Sequence, residues 1–207
     1  MSATSSNQES FVASNPWRGS TLAEWRVFFS LFLRDPVGIA ALAPSSAAVA
    51  RAMADCLTLE REGAVLELGG GTGSVTRGLL EAGCAPERLV TIEREPELAR
   101  VLARRFRAAR VVEGDAQDLK EHLRGLGIDR LANVISSLPI KWFPLSLQAA
   151  ILNQSLDLLG PGGYFCQLTN GMTPPMPAAR LGVRCEEVVR VWRNIVPVQI
   201  WRYWRPA

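Results

Sequence analysis

Val65-Leu66-Glu67-Leu68-Gly69-Gly70-Gly71-Thr72-Gly73-Ser74 is the stretch on which the reading of this chain turns. A short apolar run bounded by turn residues reads as a buried strand, and the helical pattern from Ser74 to Ala82 follows the glycines without a gap. Strand, glycine turn and helix in that order form the start of a parallel crossover. Downstream, Leu89 to Ile92, Arg110 to Val112, Leu131 to Ser136 and Tyr164 to Leu168 read as further strands. Helical patterns over Glu95 to Phe106, Leu119 to Leu126 and Ser146 to Leu159 separate them. Strands alternating with helices predict a doubly wound, mostly parallel α/β sheet. Gly182 to Arg193 and Ile195 to Tyr203 are β-rich and complete a seven-stranded sheet as a hairpin.

Upstream the texture differs. Residues 1–19 are rich in Ser, Asn and Ala and read as a flexible arm. Thr21 and Glu24 form a capping box, and Leu22, Trp25, Phe29, Phe32 and Leu33 recur at helical spacing until Asp35-Pro36. A second helical pattern runs from Ser45 or Ser46 to about Leu57. The expected organisation is therefore an arm (1–19), an N-terminal helical extension facing substrate or membrane (20–60) and a Rossmann-like domain (61–207).

The glycine loop narrows the ligand. A dinucleotide fingerprint, G-x-G-x-x-G counted from Gly69, needs a third glycine where Ser74 stands. The chain instead reads E-x-G-x-G-x-G, with Gly69, Gly71 and Gly73 behind Glu67. A carboxylate there opposes a pyrophosphate and favours an ammonium group. Glu93, at the end of the second strand, has two oxygens to accept from both hydroxyls of a ribose. After the third strand, Asp115 is placed to accept from an adenine amino group and the Ala116 N–H to donate to the ring. Ammonium, ribose and adenine partners without a phosphate partner describe S-adenosylmethionine.

Taken together, the loop, Glu93 and Gly114-Asp115-Ala116 resemble a class I SAM-dependent methyltransferase over about Ala64 to Leu168. In that family the residues after the fourth strand face the acceptor, here Ser136-Ser137-Leu138-Pro139-Ile140-Lys141-Trp142-Phe143. Enzymes that methylate a nucleobase amine carry Asn or Asp, two residues, then Tyr or Phe. This chain has Ser137 and Ile140 at those positions, so its similarity to rRNA adenine methyltransferases is confined to the cofactor half, and an rRNA adenine N6-methyltransferase-like enzyme is the alternative reading of its function. Phe28 to Pro36, Ile39 to Ser46, Glu67 to Gly73 and Arg193 to Trp201 resemble bacterial phospholipid N-methyltransferases. That resemblance implies stepwise methylation of phosphatidylethanolamine toward phosphatidylcholine. Gly70 stands where such proteins usually have Pro, and Asn170-Gly171 where they often have Tyr-Gly.

On this reading Ser136 and Ser137 orient the acceptor amine, while Trp142 and Phe143 offer ring faces to the growing cation. Trp25, Phe28, Phe29 and Phe32 contact the membrane interface. The tail is basic and aromatic, with six Arg against two Glu over residues 180–207 beside Trp192, Trp201, Tyr203 and Trp204. His122, the only histidine, belongs to a helix and reads as a packing or surface residue.

Composition sets the bounds. Hydrophobic residues make up 48% and charged residues 21% of the 207 residues, an ordinary globular balance. A net charge of +3 is too small to make phosphate-backbone attraction the default explanation of function. Cys56, Cys84, Cys166 and Cys185 contain no CxxC pair, which argues against a zinc set and reads as free thiols in a reducing cytoplasm. Met1 to Asn15 lack Lys, Arg and any apolar run, unlike a secretory leader. A cytoplasmic enzyme peripheral to the inner face of the cell membrane is expected, with phospholipid as its partner and no metal or nucleic acid.

Overall fold

The computed structural model describes residues 47–170, 172–191 and 198–206. Trp25, Phe28, Phe29 and Phe32 lie outside the described residues, as do Gly171 and residues 192–197. Seven strands form one sheet: β1 Ala64–Leu68, β2 Leu89–Glu93, β3 Arg110–Glu113, β4 Leu131–Ser136, β5 Phe165–Asn170, β6 Arg184–Val191 and β7 Val198–Trp204. Their order is β3-β2-β1-β4-β5-β7-β6. β1 to β5 run parallel, and β7 enters antiparallel between β5 and β6. The described helices are α1 Ala47–Ala54, α2 Ser74–Glu81, α3 Pro96–Arg105, α4 Leu119–Gly125 and α5 Leu145–Leu159.

Strand alternation divides the sheet into two faces. Val65 and Leu89, with Ile135, Cys166, Leu168 and Ile200, bury one face under Val49 and Met53 of α1 and Val75 and Leu79 of α2. α5 covers β4 and β5, and α4 packs beside it. The cluster holds α1 tightly: a Cβ on Gly78 would stand 2.8 Å from the Ala50 carbonyl oxygen, so the two helices meet backbone to backbone. The last strand is tied to the loop before β6, where Tyr203 Oη accepts from the Met176 N–H at 3.1 Å. Burial pushes the Tyr203 hydroxyl above its usual titration range.

This topology fixes where a ligand enters. The chain builds β1, β2 and β3 outward and returns to place β4 on the other side of β1, so the connections leave the β1–β4 pair in opposite directions. The loops leaving the strands continue the ladder for one more bond. The Gly69 N–H donates to the Ile92 carbonyl at 2.9 Å, Gly114 to Glu93 at 3.0 Å and Ser137 to Leu68 at 2.9 Å. Three loops are thereby pinned side by side along the carboxyl rim.

Glycine at two loop positions has a steric reason. Gly73 precedes α2 at φ +84°, and a Cβ there would lie 2.5 Å from a ring carbon of Phe106. At Gly70 a Cβ would lie 2.4 Å from Thr91 Cγ2 and 2.8 Å from a Leu102 methyl. This chain fills the space with Thr91 and Leu102 and leaves no room for the proline common in the resembling family. Gly70→Ala is expected to cost about 1–3 kcal/mol of stability, read as a lowered denaturant midpoint at unchanged slope. An unchanged midpoint would show that Leu102 gives way freely.

Candidate active site

Glu67 is the penultimate residue of β1, in register with Thr91 of β2 and Ile135 of β4. It is fully buried. Its Oε2 accepts from Thr91 Oγ1 at 2.8 Å and from Thr76 Oγ1, on the first turn of α2, at 2.7 Å. Oε1 is buried with no hydrogen-bond partner in the protein. Burial raises the Glu67 pKa to about 7, the threonine bonds pull it down and the nearby Glu93 charge pushes it further up. An orphaned carboxylate oxygen beneath a glycine loop fits an ammonium group or a bridging water.

Glu93 closes β2 and is almost wholly buried. One oxygen accepts from the Gly71 N–H at 2.8 Å and the other from the Glu95 N–H at 2.9 Å. Each oxygen keeps a second lone-pair direction, the capacity that two ribose hydroxyls require. A Cβ placed on Gly71 would meet nothing within 4 Å, so the space over the loop beside Glu93 is open. Along the rim, Asp115 Oδ1 accepts from the Gln117 N–H at 3.1 Å, and Oδ2 stands 3.7 Å from Arg94 Nε. Ala116 begins the short helical turn Ala116–Asp118 and is buried. His122 lies under this turn, its Nε2 donating to the Asp115 carbonyl at 3.2 Å, and a Cβ on Gly114 would meet its ring at 2.4 Å.

The structure thus brings the strand residues Glu67 and Glu93 and the loop residues Gly69, Gly71, Gly73, Asp115 and Ala116 together at one end of the sheet. Three supports were not anticipated. Thr91 announces itself as the one polar side chain inside the apolar β2 run, in register with Glu67. Thr76 and Arg94 carry no comparable signal. Beside the site, a cavity of about 520 Å³ between α1 and α2 is lined by Arg51, Asp55, Arg77 and Glu81. Its lining reaches Ser74 but includes neither Glu93 nor Asp115.

At the end of β4, Ser136 is fully buried and its Oγ accepts from the Leu138 N–H at 3.4 Å. Ser137 Oγ is buried without a partner. Ile140 is 0% exposed while Trp142 is 36% exposed with Lys141 Nζ 6.0 Å from its ring centre. Phe143 is half-buried. Among the described residues no group of three or more His, Cys, Asp or Glu is arranged to hold a metal ion, and all four cysteines are free.

The buried acid makes stability depend on pH with a defined sign. Between the ordinary carboxyl value of 4.5 and about 7 the folded chain holds a proton on Glu67 that the unfolded chain has lost. That stabilisation is present in full below 4.5 and disappears as pH rises through about 7. Relative to Glu67→Gln, the cofactor-free protein should lose about 3 kcal/mol across this window. Denaturation of both proteins at pH 4.5, 6 and 8 measures it, and parallel curves would mean that the carboxylate is solvated. Because an ammonium partner requires the ionised acid, affinity for S-adenosylmethionine should rise over the same interval.

No family model matches the chain. It is 34% identical over 151 residues to an ornithine lipid N-methyltransferase of Singulisphaera acidiphila, covering 72% of this chain and 79% of that one. It is 37% identical over 91 residues to a ribosomal RNA small subunit methyltransferase A of Maridesulfovibrio salexigens, covering 44% of this chain and 33% of that protein. Among solved structures it resembles the 1,6-didemethyltoxoflavin-N1-methyltransferase of Burkholderia thailandensis bound to S-adenosylhomocysteine, with a TM-score of 0.62 at 18% identity over 89% of this chain and 88% of that one. A glycopeptide N-methyltransferase complexed with S-adenosylmethionine gives 0.57 at 16% identity over 78% and 95%. With its seven-stranded sheet in the order 3-2-1-4-5-7-6 and its likeness to the Singulisphaera protein, the chain belongs to the class I SAM-dependent methyltransferases and uses S-adenosylmethionine as cofactor.

Proposed function

We propose that the protein methylates the amine of a membrane lipid, taking phosphatidylethanolamine and its methylated intermediates toward phosphatidylcholine. The observation that carries this reading is the acceptor loop. A nucleobase acceptor calls for a ring four positions into Ser137-Leu138-Pro139-Ile140, and the residue there is aliphatic and wholly buried. The similarity to ornithine lipid N-methyltransferase supports an amine carried on a lipid.

The cofactor supplies an activated methyl group together with its leaving group, so the protein's work is alignment and deprotonation. Glu67 balances the ammonium end, Glu93 holds the ribose, and Asp115 with the Ala116 N–H reads the adenine from the rim. Gly69, Gly71 and Gly73 let backbone approach the ligand. An alkylammonium titrates near about 10.4 and must pass its proton to water before the neutral amine attacks. Ser137 presents a hydroxyl that hydrogen-bonds an amine N–H without holding the proton, Ser136 fixes the turn from which it projects, and Trp142 and Phe143 lie along the same loop to face the cation.

Reaching a headgroup requires contact with the bilayer, and among the described residues no helix is long and apolar enough to cross a membrane. We take the protein to act as a peripheral enzyme at the cytoplasmic face of the membrane. Trp25, Phe28, Phe29 and Phe32 are the proposed contact, each worth about 1.5–3 kcal/mol if fully buried. On the acceptor rim Trp142 and Met172, at 36% and 59% exposed, add apolar surface.

Incubating the protein with labelled S-adenosylmethionine and vesicles of mixed phospholipid and ornithine lipid should label the amine lipids, identified by product mass. Label confined to ribosomal RNA would overturn the lipid reading, and label on ornithine lipid alone would overturn phosphatidylethanolamine as the acceptor. Glu93→Ala should weaken cofactor affinity by roughly tenfold or more, as expected for a lost charge-assisted pair of hydrogen bonds. Unchanged binding in calorimetry would mean that the ribose lies elsewhere. Replacing Phe28, Phe29 and Phe32 together by Ser should reduce vesicle co-sedimentation at unchanged cofactor affinity; equal sedimentation would remove that segment from the mechanism.

A further inference from the structure

The loop from Ser137 to Phe143 leaves β4, passes through the helical turn Ile140–Trp142 and enters α5 at Leu145. Its start is pinned by the Ser137 N–H on Leu68. Two buried glutamines hold the rest. Gln167 of β5 stands in register beside Ser136, and its Nε2 donates to the Leu138 carbonyl at 2.8 Å and to the Leu168 carbonyl at 2.6 Å. Gln148, on the first turn of α5, donates from Nε2 to the Phe143 carbonyl at 3.0 Å. The Oε1 atom of each is buried without a partner. An orphaned buried amide oxygen is unfavourable, so both side chains carry a penalty that their donor bonds to the loop offset.

We propose that Gln167, assisted by Gln148, is a positioning residue for the methyl acceptor: the two amides tether the loop at Leu138 and Phe143 and so fix Ser137 and Trp142 relative to the cofactor. The inference rests on the amine-methylation reading above and adds to it the residues that set acceptor geometry. With the Leu138 and Phe143 carbonyls taken by glutamine donors, Ser137 Oγ is the buried side-chain oxygen of the loop left without a partner. Neutral amides suit this position chemically. A carboxylate tether beside the acceptor would stabilise an ammonium and suppress the free amine, whereas an amide holds backbone without changing the charge of the site.

Gln167→Met keeps the length and removes the donor. Its kcat/KM toward the lipid amine should fall roughly tenfold to a hundredfold, the cost of a displaced reacting group, while the dissociation constant for S-adenosylmethionine stays within about twofold. Amide hydrogen exchange at Leu138, Ile140, Trp142 and Phe143 should quicken in the absence of any acceptor. Gln148→Met should act in the same direction, and the double variant should lose little more than Gln167→Met alone, since both work through one loop. Unchanged exchange at those four amides overturns the inference. So does a parallel loss of cofactor affinity with faster exchange across the whole sheet, which marks a global packing defect. If the wild type methylates ribosomal RNA and no lipid, the acceptor reading falls, and the exchange of Gln167→Met still decides whether the tether exists.

Discussion

A carboxylate buried under the glycine loop, satisfied on one oxygen and open on the other, is the constraint from which the rest of this site follows. Threonine hydroxyls from β2 and from the first turn of α2 converge on Glu67 Oε2, so a single atom ties strand, neighbouring strand and helix together. A fully buried charge with half its hydrogen-bonding capacity unused is unfavourable in the free protein, as its raised pKa records. A cationic ligand removes that penalty. Stability given up in the empty fold is recovered as affinity, because a group held in place and desolvated beforehand needs no reorganisation when its partner arrives. Glu93 extends the arrangement by accepting the Gly71 N–H from across the loop, so of two acids on adjacent strands one holds the glycine turn and the other the first turn of the helix that follows it.

On the proposed reading, acid supports the cofactor half of the crevice and amide the acceptor half. This division matches the charges that each half must handle. The cofactor arrives with a permanent sulfonium and an ammonium, for which carboxylates are suitable partners. On the amine-methylation reading the acceptor must lose a proton before it attacks, and a nearby carboxylate would raise the pKa of its ammonium. Ser137, Gln148 and Gln167 provide hydrogen bonds without formal charge. The same sheet therefore supports opposite electrostatic environments a few residues apart, across the β1–β4 pair where the topology opens.

Much of this was legible in the sequence because it depended on order and period. Seven strands, their hairpin end and the positions of Glu67, Glu93 and Asp115 at strand ends follow from alternating apolar runs broken by turn residues. What escaped depended on which way a side chain faces within a segment. Glu67 reads as a rim carboxylate yet is sealed beneath the loop by Thr76 and Thr91. Within Ile140-Lys141-Trp142-Phe143 the aliphatic residue goes inward and Trp142 outward, a distinction that four hydrophobic or amphipathic residues in a row do not encode. Gln167 sits between Cys166 and Leu168 in a run that looks like core, and its role appears only when β4 is laid beside it in register. His122 is a packing residue, as its helical position indicated, but what it packs against is the turn that carries Asp115.

The tail shows why a count of charges does not make a binding surface. Its sequence concentrates arginine beside aromatic residues, a composition that suits anionic lipid. In the fold Arg190 pairs with Glu187, Arg202 with Glu186 and Arg205 with Asp157, and Arg202 also stacks over the rings of Tyr164 and Trp204. Charges committed in this way project little field toward a membrane and are screened within about 10 Å at moderate ionic strength. Arg180 and Arg184 stay exposed outside these pairs, so on the lipid reading fewer of the tail's charges are open to a membrane than its composition suggests, and apolar contact adds to them. Trp142 stands exposed on the loop tethered by the glutamines, so on that reading the loop would both align the amine and present a ring to the lipid, and the two tasks would depend on the same few backbone bonds.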